Sequence, residues 1–143
     1  MKLTLIGNGI MAQSLAKGLL KNHEVEIIGR DIEKLKLIKE KIPQITIKAL
    51  DDHEDITNKN VIFCVKPYAL QSVSARLTGN ANMLFSILAG TKLETLKKQI
   101  KAKHYIRTMP NIAASVQHSM TTITGDNEAK LVAIDIFSSI GQA

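Results

Sequence analysis

The residues best suited to chemistry in this chain lie near its start. "GNGIMA", Gly7 to Ala12, follows the apolar run "KLTLI" and leads into "QSLAKGLL", so a G-x-G-x-x-A pattern stands between a predicted strand and a predicted helix. Each small residue has a physical duty in that context. Gly7 permits a tight turn, Gly9 lets bare backbone approach a pyrophosphate, and Ala12 lets helix and strand pack closely. The free N–H groups and the dipole at the helix start then favour anionic phosphates. The pattern predicts a dinucleotide turn, against the simpler reading of a structural strand-to-helix bend.

The end of the second predicted strand discriminates between cofactors, because an Asp or Glu about 20 residues on would bind the 2′-hydroxyl of NAD. Here the sequence reads "IIGRD". Arg30 offers a cationic fork suited to the 2′-phosphate of NADP, while Asp31 is explained as the N-cap of the next helix. NADPH is the expected cofactor and NADH the alternative.

Other chemistry is weakly supported. Cys64, the one cysteine, sits in the apolar run "NVIFCV" and reads as a buried structural thiol. His23, His53, His104 and His118 lack paired spacing, so no metal site is expected. The acidic run "DDHEDI" lacks the ligand spacing and central glycine of a calcium loop and reads as a solvated helix start. Ser86 has no nucleophile-elbow context. Lys66 could act through its side chain, but reads better as a solvated lysine whose backbone is fixed by Pro67. Arg107 could grip a carboxylate or pair with a neighbouring acid.

The elements that position these residues alternate along the chain. Strands are predicted at Leu3–Gly7, Glu24–Gly29, "QITIKAL", "NVIFCV", Met83–Gly90 and "HYIRTM", followed by the segment Met120–Gly125. Between them fall a helix from Met11 to Lys21, a helix with Ile32, Leu35, Ile38 and Ile42 on its apolar face, and one opened by a Thr91–Glu94 capping box. "DDHEDITNK" reads as a short helix or loop, and "NEAKLVAIDIFSSI" as a last helix. Strands this apolar, separated by helices, predict a doubly wound α/β fold with a mostly parallel sheet.

A chain of 143 residues, 45% hydrophobic and 22% charged, suits a single domain, residues 1–143. The net charge of +6 comes from lysines mixed with Glu on helix faces, and aromatics are only 3%, so nucleic-acid binding is not expected. A basic surface would instead concentrate an anionic cofactor or carboxylate substrate. Apolar runs are strand-sized and the N-terminus shows no secretory pattern, so no membrane partner and a cytoplasmic location are expected.

Three further segments end predicted strands: "CVKPY", "SILAG" and "IRTMPN". With "GNGIMA", this ordered set resembles the N-terminal half of pyrroline-5-carboxylate reductase over essentially the whole chain. The resemblance implies a Rossmann-type domain that binds NADPH, with the family's helical C-terminal dimerisation domain absent from this chain. It implies reduction of 1-pyrroline-5-carboxylate to L-proline by a homo-oligomeric full-length enzyme, with the isolated part inactive. Carried over by position, Gly7, Asn8, Gly9, Ile10 and Met11 would line the pyrophosphate and Arg30 the adenosine phosphate. Val65, Lys66 and Pro67 would bracket the nicotinamide ribose, Ile87 and Ala89 would wall the ring, and Asn111 would face the substrate side. No catalytic residue is assigned. "NIAASVQHS" lacks the Thr-Pro usual after that Asn, and Asp52 stands where an Asn often meets the adenosine. The alternatives are a 3-hydroxyacid dehydrogenase, a deazaflavin-dependent NADP reductase, or a non-catalytic NADP-binding module.

Overall fold

Apolar runs rich in Ile, Val and Leu build strands, and amphipathic runs between them build helices. The computed structural model describes residues 1–7, 9–87, 92–108, 119–120, 123–125, 127–138 and 141–142. The chain runs β1 (Lys2–Ile6), α1 (Ile10–Leu19), β2 (Glu24–Gly29), α2 (Ile32–Lys41), β3 (Thr46–Ala49), β4 (Glu54–Asp55) and β5 (Asn60–Phe63). A 3-10 turn (Pro67–Ala69), α3 (Leu70–Ser74), β6 (Leu77–Thr78), β7 (Ala81–Ser86), α4 (Leu93–Gln99) and β8 (Ala102–Thr108) follow. It closes with β9 (Ser119–Met120), β10 (Ile123–Gly125), α5 (Asn127–Ser138) and β11 (Gly141–Gln142).

Seven strands form one sheet in the order β10-β8-β7-β5-β1-β2-β3. All neighbours are parallel except β10, which runs antiparallel to β8. The expected doubly wound, mostly parallel architecture is therefore present. Register explains why its strands are apolar throughout. Leu5 lies opposite Ile27 and Ile62, and Ile6 opposite Ile28 and Phe63. The first set enters a core with α1, α2 and α5; the second enters a core with α3 and α4 on the other face. Each such fully buried side chain contributes about 1.5–3 kcal/mol relative to exposure.

Asp31 caps α2 as expected, its Oδ1 accepting from the backbone N–H of Glu33 at 3.1 Å and of Lys34 at 3.2 Å. Leu35, Ile38 and Ile42 are buried, but Ile32 is 37% exposed. At 3.6 residues per turn it lies about 120° around the helix from Ile38, beyond the buried stripe. The expected Thr91–Glu94 capping box is replaced by an N-cap at Lys92, with no side-chain hydrogen bond, one residue past the Thr. Thr91 itself lies outside the described residues.

The acidic stretch "DDHEDI" forms no helix; Asp51, Asp52, His53 and Asp55 are solvated as expected, but Glu54 and Ile56 are buried. Glu54 is buried in β4, which pairs with β6, and Lys48 Nζ reaches both its carboxylate oxygens at 2.6 Å and Asp51 Oδ2 at 2.8 Å. Hydrogen bonds to Asp51 and then to Glu54 hold the Lys48 ammonium above the usual lysine pKa. The Asp51 backbone N–H also donates to Glu54, at 3.2 Å. Within an otherwise exposed segment, Glu54 is thus held inward by one lysine.

At the carboxyl end of β8, Thr108 is fully buried and its hydroxyl has no hydrogen-bond partner among the described residues. Thr108→Val is expected to raise stability by about 1–2 kcal/mol, because it removes an unsatisfied buried hydroxyl at constant shape. Urea unfolding measures it. A lower midpoint in the variant would mean that the hydroxyl is bonded in the folded chain.

Candidate functional site

The chain leaves β1 for β2 on one side and later returns to β5 on the other. The carboxyl ends of β1 and β5 therefore open a crevice, the switch point where doubly wound sheets bind ligands. A cleft of about 220 Å³, partly open to solvent, lies there.

Gly7 and Gly9 both line the cleft, for different reasons. Gly7 has φ +130°, and its N–H donates to the Ile28 carbonyl at 2.8 Å. A Cβ there would stand 2.8 Å from the Cys64 carbonyl carbon and 2.9 Å from its oxygen. The turn after β1 passes so close to β5 that only glycine fits. Gly9 has φ −85° and ψ −172°, extended backbone open to any residue, and a Cβ built on it meets nothing within 4 Å. The fold makes no steric demand for glycine at position 9; what glycine leaves there is bare backbone facing the cleft.

Gly9 is also the N-cap of α1, with no side-chain cap and no acidic residue in the first turn. The first intrahelical bond runs from Gln13 N to Gly9 O, so the N–H groups just ahead of it have no helical acceptor. Together with the positive end of the helix dipole they form an anion-receptive surface. Arg30 and Lys34 line the same cleft, as does Lys66, and no acidic side chain does so among the described residues. Asp31 is engaged in capping α2 and does not line the cleft, whereas Arg30, exposed just past β2, does.

The cleft thus gathers Gly7, Gly9, Arg30, Val65 and Lys66 from the sequence-predicted set. Lys66 is exposed, and its carbonyl accepts from the Ala69 N–H at 2.9 Å, closing the 3-10 turn that Pro67 begins. Pro67 is exposed beside the cleft without lining it. Ile10, 67% exposed, borders an adjoining shallow depression with Gly9 and Lys34. Met11 and Ile87 are half-buried against the core face that α1 covers. Asn8, Ala89 and Asn111 lie outside the described residues.

Cys64 is buried at the cleft floor; burial pushes its thiol pKa far up, so it is an inert packing group. Ser86 is fully buried, and Arg107 is half-buried in β8 opposite Thr124. Among the described residues no three His, Cys, Asp or Glu side chains gather as a metal-holding group, and no helix is long and apolar enough to cross a membrane. Among the cleft residues outside the predicted set, Lys34 and Tyr68 carry side chains suited to binding. Lys34 follows Arg30 at the i, i+4 spacing of one helical turn, which was its available signal. Tyr68 closes the quoted "CVKPY" segment, and nothing in its spacing alone marks its exposure.

Sheet order, glycine turn and switch-point cleft together define a Rossmann-type α/β domain. The chain belongs to the family described as NADP oxidoreductase, coenzyme F420-dependent, whose model matches residues 2–90. A pyrroline-5-carboxylate reductase of Helicobacter pylori strain J99 is 35% identical over 147 aligned positions, covering 97% of this chain and 56% of that protein. A crystal structure of 1-pyrroline-5-carboxylate reductase from Streptococcus pyogenes superposes with a TM-score of 0.82 at 28% identity, over 99% of this chain and 56% of that one. The Plasmodium falciparum pyrroline carboxylate reductase, solved with NADP bound, gives a TM-score of 0.74 at 20% identity over 99% of this chain and 55% of that one, which speaks for the fold. The resemblance carried by the motifs is borne out by these relatives. The chain spans about half the length of the curated relatives it matches.

Proposed function

We propose that residues 1–143 form the NADPH-binding domain of a reductase acting on 1-pyrroline-5-carboxylate. The observation that carries the cofactor half of this reading is Gly9: neither backbone nor packing requires a glycine there, and a close-lying pyrophosphate does. The backbone N–H groups at the start of α1 would receive the pyrophosphate, with Gly7 holding the turn and Ile10 and Met11 beside it. Arg30, with Lys34 one turn on, would take the 2′-phosphate. Val65, Lys66 and Pro67 would border the nicotinamide ribose, Ile87 and Ala89 the ring, and Asn111 the substrate side.

The chemistry NADPH supplies when bound is a hydride for the C=N carbon of 1-pyrroline-5-carboxylate, giving L-proline. This chain's share is to hold the donor in place and keep water from it. The general acid and the dimer-forming, substrate-side segments would lie in the length of the relatives that the chain does not span. A cytoplasmic location and a homo-oligomeric full-length enzyme belong to the same proposal. The substrate reading rests on "VKP" and "RTMPN" and on the names of the relatives. A deazaflavin-dependent NADP reductase is the second reading, favoured by the description of the family model over residues 2–90.

Proline formation from 1-pyrroline-5-carboxylate and NADPH by the full-length protein, run beside a deazaflavin reduction assay, separates the two. Deazaflavin turnover without proline would overturn the first reading. For the cofactor, calorimetric titration of this chain is expected to show tighter binding of NADPH than of NADH. Arg30→Ala is expected to weaken NADPH about 10- to 100-fold, the value of a charge-assisted contact, and to leave NADH nearly unchanged. An unaltered NADPH-to-NADH ratio would remove Arg30 from the site.

A further inference from the structure

The cleft holds a feature that neither the glycine turn nor the cations explain. Tyr68 lines it and is 86% exposed, while Phe63 and Phe85 are fully buried and Tyr105 donates its hydroxyl hydrogen to the Ile100 carbonyl at 2.6 Å. Among the described residues Tyr68 is the aromatic side chain left in solvent. Leaving so large an apolar surface uncovered forgoes burial that would otherwise contribute to stability.

Its neighbours specify what could cover it. The cleft runs toward the ends of β2 and β3, where Arg30, Lys34 and Leu50 stand, and its floor is the buried set Ile28, Leu50, Ala69 and Val73. Met11 and Ile87, on the other face of the sheet, do not line it. This cleft combines an apolar floor, the cations Arg30 and Lys34, the phosphate-receptive start of α1 and an exposed flat ring. A purine base flanked by phosphates has the matching shape and charge.

The geometry points to Tyr68 as the stacking wall for the adenine of the bound dinucleotide, an inference that rests on the NADPH reading above. The ring is a positioning group: it covers the base against the apolar floor while Arg30 and Lys34 fix the adjoining 2′-phosphate. The 3-10 turn begun by Pro67 holds the Tyr68 backbone through the Ala69 N–H bond to Lys66.

The test is titration of this chain with adenosine 2′,5′-bisphosphate and, separately, nicotinamide mononucleotide, followed by calorimetry and by tyrosine emission, which no tryptophan obscures. Tyr68→Ala is expected to weaken the bisphosphate about tenfold, as loss of one base stack does, while Tyr68→Phe keeps the affinity. The mononucleotide is unaffected by either. Emission is quenched by the bisphosphate in the unsubstituted chain and not in Tyr68→Ala. Undiminished affinity in Tyr68→Ala, or an equal loss in Tyr68→Phe, overturns the stacking role. Failure of the unsubstituted chain to bind the bisphosphate overturns the NADPH reading itself, and the stacking with it.

Discussion

Gly9→Ala is expected to fold like the unsubstituted chain and to bind NADPH more weakly, whereas Gly7→Ala is expected to lose the fold's stability first. At Gly9 the backbone is extended and a Cβ meets nothing, so stability changes by less than about 1 kcal/mol: a poorer N-cap is offset by a less flexible unfolded chain. The same methyl would stand where a pyrophosphate approaches, costing about 1–3 kcal/mol of binding, roughly 5- to 150-fold in affinity. At Gly7 the methyl meets the Cys64 carbonyl at 2.8 Å on a backbone with φ +130°. Strain and overpacking there are expected to cost about 2–4 kcal/mol of stability. Thermal unfolding and NADPH titration of both variants separate the roles. If Gly9→Ala bound NADPH at full strength, the pyrophosphate would have to lie elsewhere.

That contrast marks how much was legible in the sequence. Periodicity and apolar runs were enough for the sheet, because strands buried on both faces read as unbroken Ile, Leu and Val. The spacing G-x-G-x-x-A located the turn, and the Asp31 cap separated Arg30 from its competing acid. Signals failed where a side-chain contact, even one close in sequence, decides the local state. Most of "DDHEDI" is solvated, but Glu54 is buried against Lys48 of β3, which its own run of acids does not reveal. α3 has five residues, too few to show a helical period, and its segment went unassigned. The cap of α4 moved by one residue, a shift that composition does not encode. In the cleft, Lys34 and Tyr68 come together only because β2 and β5 end, and α2 begins, at one crevice.

Lys48→Met is expected to be the most damaging substitution outside the glycine turn. Glu54's side chain is 4% exposed and takes both its short contacts from Lys48, so the variant leaves a buried carboxylate with only the Asp51 N–H. Breaking a fully enclosed pair costs 3–5 kcal/mol; because Lys48 is itself 39% exposed, about 2–3 kcal/mol is expected here. Glu54→Gln is expected to cost less, about 1 kcal/mol, since no buried charge remains and an acceptor for the Asp51 N–H is kept. The pH dependence has a definite sign. Lys48's pKa is raised on folding, so its contribution is fully present below the ordinary lysine value of about 10.4 and is lost as pH climbs through the folded-state value. The stability gap between Lys48→Met and the unsubstituted chain should therefore be flat near neutrality and narrow in strong alkali. The clamp also bears on the cleft: Leu50, bonded through its N–H to the Gly29 carbonyl at 2.8 Å, floors it and leads directly into the loop that Glu54 holds. Weaker binding of adenosine 2′,5′-bisphosphate should accompany the lost stability. Urea unfolding at pH 7 that left Lys48→Met as stable as the unsubstituted chain would show that the ammonium contributes nothing to holding this edge of the site.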